Sequence, residues 1–469
     1  MAAPRLFPRI LAAAVDGRVR NVRYRQGQFL LLQSAIIQNV EEIKKALREF
    51  SGHTPEEICA ELCLALDEIR AHYGSLDLNK SLEDEYSISS GKDHRGGRRG
   101  TGIVYIVPIE HTIFFSIISA LSAALAAGNC IILELTGSSN IKTTLRRVLV
   151  EALDRDTFAV SEERPDEVFL RHTLLINQQQ PYKSDGAART RSVAVVNKTA
   201  NLAQAVEALV SLRFGFGGKS PFAPDCVVVH EAALNDFLAR ITEKSLKYHA
   251  ANEGSGGISS GSKSAFLTDA EKAAGAKVIV SGNSWGVVRV EDRDLKLLER
   301  KPNERVLWVK SCTSLDDAIE ACRQYGSPVA AYIFADPASA KYLAQFIDAR
   351  FSWVNHIPLE MLIGPLVDER GTLESSTRYS RSAFEVPRAQ VVTESHACIR
   401  IKSLLGTKTA KKAKIWREAT APLRETGQSP GGGVGHFEQG IISGGLVILS
   451  SVAIVVSIFG YYTMAYSSR

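Results

Sequence analysis

No two cysteines in this 469-residue sequence stand at CxxC spacing, and the seven present (Cys59, Cys63, Cys130, Cys226, Cys312, Cys322 and Cys398) are scattered and odd in number. That excludes a disulfide framework and fits a reducing compartment. Cys59 and Cys63 lie four apart on an expected helix, but no His or Cys partners follow at zinc-finger spacing. They read as buried helical cysteines, and no metal site is expected. Charge of one sign is scarce too: 56 Lys and Arg against 51 Asp and Glu leave +5, with much of the local basic excess between Lys402 and Arg424. No nucleic-acid-binding face spans such a chain. A phosphate loop is missing as well, because GSGGISSGSKS (254–264) puts Ser262 between Gly261 and Lys263 where the motif needs Gly-Lys-Ser/Thr directly. The apolar stretch near the amino terminus is broken by Pro8 and Arg9 and makes no secretory signal.

What is present is an ordinary globular composition, 45% hydrophobic and 23% charged, long enough for two or three domains. From Arg25 to Arg70 apolar residues recur at helical spacing. GTGIVYIVPIEHTIFFSIISALSAALAAGNCIILEL then reads as strand, helix, strand. SVAVVNK precedes the helical run NLAQAVEALVSLRF, and DCVVVHE precedes ALNDFLARITEKSL. This alternation predicts an α/β fold with a largely parallel sheet.

One long uncharged run stands apart, GIISGGLVILSSVAIVVSIFGYY from Gly440 to Tyr462, after a Ser429-Pro430-Gly431-Gly432-Gly433 linker. It is long enough to cross a hydrocarbon core of about 30 Å and reads as one transmembrane helix, with Tyr461, Tyr462 and Tyr466 at the far interface. Lys402, Lys408, Lys411, Lys412, Lys414, Arg417 and Arg424 precede it and only Arg469 follows, so the large domain is expected to face the cytosol on a tail-anchored, single-pass protein, with endoplasmic reticulum one such membrane. The basic linker is either a contact for anionic lipid headgroups or a soluble tether.

Four runs in order, AALAAGN (123–129), APD with VVVHE (223–231), SLDDAIE (314–320) and WVNHIPL (353–359), resemble the aldehyde dehydrogenase superfamily, and within it the shorter, often tail-anchored enzymes that oxidise fatty aldehydes. The match covers about residues 15 to 395. The resemblance implies an aldehyde dehydrogenase-like α/β fold. Residues 1–200 would hold the N-terminal helices and a Rossmann-like cofactor domain, 201–365 a catalytic-type domain, 366–400 an oligomerisation arm, 401–439 a basic, Gly-rich linker and 440–462 the membrane helix. It also implies a thiolate that attacks the aldehyde, an Asn that helps hold the oxyanion, hydride transfer to a nicotinamide and a Glu that activates water.

The residues at those places depart from the family. Its Asn-x-Gly-Gln-x-Cys-x-Ala-Pro-Asp run aligns with Phe216 to Asp225 and puts Pro221 at the nucleophile, without a thiol or an N–H. Cys226 would open the next strand, out of register. The Pro-Trp-Asn segment reads Pro108-Ile109-Glu110-His111, so Glu110 sets a negative charge where one must develop. Lys-Pro-Ser-Glu becomes Glu134-Leu135-Thr136-Gly137, and Glu-x-Phe-Gly-Pro becomes Lys301-Pro302-Asn303-Glu304-Arg305. The interval from Glu134 to Pro221 is about twenty residues short and lacks the pyrophosphate turn and the general-base segment.

These losses predict an aldehyde dehydrogenase-like pseudoenzyme with a binding, scaffolding or regulatory role and no bound cofactor. It would hold lipid through its C-terminal helix and basic linker, and pair as a homodimer, or as a heterodimer with a related dehydrogenase, through the strand region Phe384 to Val392. The alternative is an oxidoreductase for a lipophilic aldehyde or related carbonyl that keeps NAD or NADP and uses Glu110 and His111 as an acid/base pair, with Cys226 as a further candidate.

Overall fold

A computed structural model describes residues 6–179, 191–253, 264–292, 295–299, 301–302, 304–324, 326–366, 377–406, 409–424, 426–428 and 436–467. The loop at 254–263, the linker at 429–433, Lys408, Asn303 and part of the shortened interval, 180–190, lie outside them, as do the side chains of Tyr461, Tyr462 and Tyr466. The chain divides into two compact units, Met1–Thr393 and Glu394–Arg469.

In the first unit, helices Val22–Gln38, Val40–Ser51 and Pro55–Gly74 carry the N-terminal helical periodicity. Thr54 caps the third with a capping box: its Oγ1 accepts from Glu57 N, and Glu57 returns a carboxylate to Thr54 N. A ribbon strand β1 (Arg98–Gly100) follows, then β2 (Ile103–Val107), β3 (Cys130–Glu134), β4 (Phe158–Ser161) and β5 (Leu174–Asn177), which form a parallel sheet ordered β4-β3-β2-β5. Helix Ile113–Ala126 crosses from β2 to β3 with all fourteen residues buried, which is why it is apolar all round. The AALAAGN run is its terminus. Gly128 is left-handed (φ 78°) and Asn129 N donates to Ala124 O at 3.1 Å, a Schellman-type end. Asn129 then accepts from Gly102 N (2.9 Å) and donates to Phe384 O (3.1 Å), tying the helix end to the ribbon.

The larger sheet runs β12 (Phe351–Val354), β11 (Ala330–Phe334), β6 (Ser192–Val196), β7 (Cys226–His230), β10 (Arg305–Cys312), β9 (Trp285–Val290) and β8 (Ala276–Ser281), parallel except for β8. The strand β6, which the sequence reading puts within 1–200, therefore pairs in the second sheet. The WVNHIPL run closes β12: Asn355 is left-handed (φ 57°), and its side chain accepts from Ala335 N (3.0 Å) and donates to Ala335 O (2.8 Å).

The strand region expected to offer an edge to a second subunit contains β13 (Glu385–Pro387), and its edge is not bare within the chain. It pairs antiparallel with β1, and Asp93 accepts from Val392 N and Thr393 N beyond it.

In the second unit, helices His396–Leu405 and Thr409–Ala419 precede a 32-residue helix, His436–Ser467. Among the described residues it is the one helix long and apolar enough to cross a membrane. Its window Gln439–Val456 has a mean hydropathy of 2.1, and none of that window is buried.

Candidate active site

The run that the resemblance aligns with the nucleophile forms a tight turn between helix Leu202–Phe214 and β7. Phe216 (φ 49°), Gly217 (φ 71°) and Gly218 (φ 70°) are left-handed in succession, and a Cβ on Gly218 would stand 2.5 Å from Glu304 O. The turn is held from both sides. Glu57 accepts from Phe216 N at 2.7 Å, and the wholly buried Arg213 donates to Val306 O (2.8 Å) and Glu304 O (2.5 Å). Pro221 is half-buried, and its carbonyl accepts from Ser192 Oγ and Lys301 Nζ, both at 3.1 Å. Asp225 lies behind it, 3.8 Å from Lys301 and 4.0 Å from Arg213.

Cys226 opens β7, opposite Trp308 and Val193, and packs in the cluster with Phe266, Val288 and Trp308. Burial pushes its thiol up to about 11, so it stays protonated and sequestered at neutral pH. An alkylating reagent is accordingly expected to label Cys59 and Cys63 in the native protein long before Cys226, as mass spectrometry of timed samples would show. Cys59 and Cys63 are exposed on helix Pro55–Gly74, contrary to the buried pair read from the sequence. Their spacing left one helical face free, and that face lies toward solvent.

Glu110 and His111 do not form a pair. Glu110 is exposed and takes Lys142 at 2.8 Å, a surface ion pair worth little to stability. His111 turns inward, with Nε2 donating to Leu362 O at 2.8 Å and a buried Nδ1 that has no partner. It meets His53, which sequence reasoning missed because nothing in its neighbourhood forms a motif. The rings stand 6.1 Å apart and both pack edge-on to Phe216. Burial holds His53 down to about 3 and His111 to about 4, so both are neutral and poor general bases at pH 7.

Where the order of the smaller sheet reverses, between β2 and β5, α/β folds place a ligand at the strand carboxyl ends. Here Gln178 accepts from Ile109 N (3.2 Å) and donates to Ser116 O (2.9 Å), and Gln179 donates to Pro108 O (3.0 Å). At the end of β3, Glu134 accepts from the Tyr105 hydroxyl at 2.8 Å. No group of three or more His, Cys, Asp or Glu is placed to hold a metal among the described residues.

This arrangement of two α/β sheets is similar in fold to solved proteins. The substrate-bound state of Staphylococcus aureus AldH superposes with a TM-score of 0.64 at 16% identity, over 84% of this chain and 95% of that one. This is the aldehyde dehydrogenase fold. Another protein on it is the glyceraldehyde-3-phosphate dehydrogenase GapN of Methanocaldococcus jannaschii, complexed with NADP, with a TM-score of 0.60 at 12% identity over 82% of this chain and 92% of its own. In sequence the chain is 21% identical over 360 residues to the 4,4'-diaponeurosporen-aldehyde dehydrogenase of S. aureus (strain NCTC 8325 / PS 47), across 69% of this chain and 78% of that protein. The chain is thus a divergent relative of the aldehyde dehydrogenase superfamily. No model of a known protein family matches it.

The absence of a cofactor, expected from the lost motifs, is corrected by these relatives. GapN carries NADP on this fold, so degenerate motifs are no ground for excluding a nicotinamide dinucleotide. The described residues do not fit that group in the manner the family resemblance implies. Glu134 is engaged by Tyr105, no lysine stands at the ribose place, and Gln178 and Gln179 stitch the switch point.

Proposed function

We propose that this aldehyde dehydrogenase-like protein has lost thiol-dependent aldehyde oxidation and keeps the fold for binding at a membrane. The observation that carries the reading is Pro221. It follows a left-handed turn and has its carbonyl committed to Lys301 and Ser192, while the cysteine nearest in sequence, Cys226, is sealed in a strand. Without a thiolate no thiohemiacetal forms from which hydride could leave. The oxyanion place holds Glu110 instead of a donor. The separation of Glu110 from His111 removes the support for an acid/base pair in a rewired oxidation.

The apolar helix Gln439–Val456 supports membrane anchoring. Helix Thr409–Ala419 supports contact with anionic headgroups, because Lys411, Lys414 and Arg417 are exposed beside Trp416, itself 68% exposed. The charge balance puts the large unit on the cytosolic side. Subunit pairing would use the β1-β13 ribbon, whose outer edges could accept a further strand.

The test uses the full chain in lipid nanodiscs, with NAD⁺ or NADP⁺ and a long-chain aldehyde. Reduced cofactor is expected to appear no faster than in empty nanodiscs. Saturable, aldehyde-dependent reduction of either cofactor would sink the reading.

A further inference from the structure

Beside the degenerate turn lies a cavity of about 460 Å³, within the range of small-molecule sites. Its walls include Leu64, Phe216, Leu362 and Ile363, and its rim carries the carboxylates of Glu56, Glu57, Asp67 and Glu360. Among the described residues no lysine or arginine lines it. Two carboxylates are already engaged, Glu57 with the backbone N–H groups of Thr54 and Phe216, and Asp67 with Arg70 at 3.0 Å. Glu56 and Glu360 are exposed and form no salt bridge among the described residues, while the buried Arg378, outside the lining, donates to the Glu360 carbonyl and acts on its carboxylate from a distance. Lys219 and Arg305 act on His53 from outside the lining.

Behind the wall residue Phe216, outside the lining, His53 and His111 pack edge-on to its ring, each with a buried Nδ1 that has no partner. The Nε2–H of His111 goes to Leu362 O, which leaves its Nδ1 as a bare lone pair. Ser211 gives its hydroxyl to Glu207 O at 3.0 Å. An aldehyde oxygen needs donors, and the lining supplies few. Cys63 lines the cavity too, beside four carboxylates, with Lys44 acting on it from outside the lining while paired with Glu41.

We propose that this cavity binds a long-chain primary amine, with the alkyl chain against Leu64, Phe216, Leu362 and Ile363 and the ammonium at the rim with Glu56 and Glu360. Complementary charge fixes the orientation and excludes fatty acids, and apolar burial supplies the affinity. This rests on the binding role proposed above and names its ligand class.

The experiment is calorimetry of the full chain in zwitterionic nanodiscs, with decylamine, decanol and decanoate as probes and empty nanodiscs subtracted. Decylamine is expected to bind saturably, at least about tenfold tighter than decanol, with decanoate weakest, since one charge-assisted contact contributes on that scale. Shortening the amine by one methylene should weaken it about fourfold. The double variant Glu56→Gln/Glu360→Gln should bring amine and alcohol within about threefold of each other, reflecting the lost charge contact. Ala60→Phe, on an exposed helical position that lines the cavity, should weaken both. Equal affinity for decylamine and decanol in the unaltered protein, an unaffected Ala60→Phe variant, or no saturable amine binding would each overturn the assignment. Aldehyde-dependent cofactor reduction in the separate nanodisc assay would instead overturn the loss of oxidation, so the two failures are distinguishable.

Discussion

Replacing Arg213 by leucine is expected to destabilise the first unit by about 3–5 kcal/mol, the scale for breaking a buried charged network. The side chain is wholly buried at the end of helix Leu202–Phe214 and holds the carbonyls of Pro302, Glu304 and Val306. Leucine fills much of the volume but donates nothing, so three buried acceptors lose a donor and Asp225 loses one of its two nearby cations. Burial brings the guanidinium down to about 10, and it stays charged at neutral pH, so lysine would restore the charge but not the fork. Denaturant titration of the full chain in nanodiscs would show the order wild type, Arg213→Lys, Arg213→Leu. A loss below about 1 kcal/mol for leucine would mean that the turn is supported elsewhere.

Glu61→Gln is expected to change how stability depends on pH. Glu61 is completely buried on helix Pro55–Gly74, and its Oε1 accepts from Phe114 N (3.0 Å) and Phe115 N (3.2 Å), capping helix Ile113–Ala126 from across the core. Burial lifts the carboxyl from 4.5 to about 7, against the two N–H groups that pull it down. The folded state therefore binds the proton more tightly than the unfolded one. This contribution to stability is complete below about pH 4.5 and is lost as pH rises through about 7. Glutamine keeps the Oε1 acceptor and cannot ionise, so its advantage over the wild type should grow across that window toward about 3 kcal/mol. Glu61→Ala removes the cap as well and should cost about 2–4 kcal/mol at pH 5, where the glutamate is mostly protonated. Unfolding titrations at pH 5 and pH 8 decide the point: a pH-independent difference between wild type and glutamine would rule it out.

Much of the fold was legible because its signals are periodic and local. The wholly apolar FFSIISALSAALA could only be a core helix, VVVH and AAYIF only buried strands, and AALAAGN and WVNHIPL carry the left-handed residues that end a helix and a strand. Of the candidate site, the glycines of the turn before Pro221 were legible, since Gly217 and Gly218 take the left-handed conformation that glycine favours. His53 and Glu57 were not, because each acts across more than a hundred residues of chain: Glu57 on Phe216 N, and His53 on the Phe216 ring. The cofactor was misjudged for a different reason. Motif loss speaks only of how the resemblance would have it held, and says nothing of other modes.

By itself the sequence determined the alternation of strands and helices, the proline at position 221 and the uncharged run at the carboxyl end, because each depends on residue type at one position or on a local period. Only the tertiary structure decided that Glu110 faces Lys142 while His111 faces His53, that Gln178 and Gln179 stitch the switch point, and that four carboxylates ring an apolar cavity. Those are relations between distant segments, and their distances are set by how the two sheets and the N-terminal helices pack.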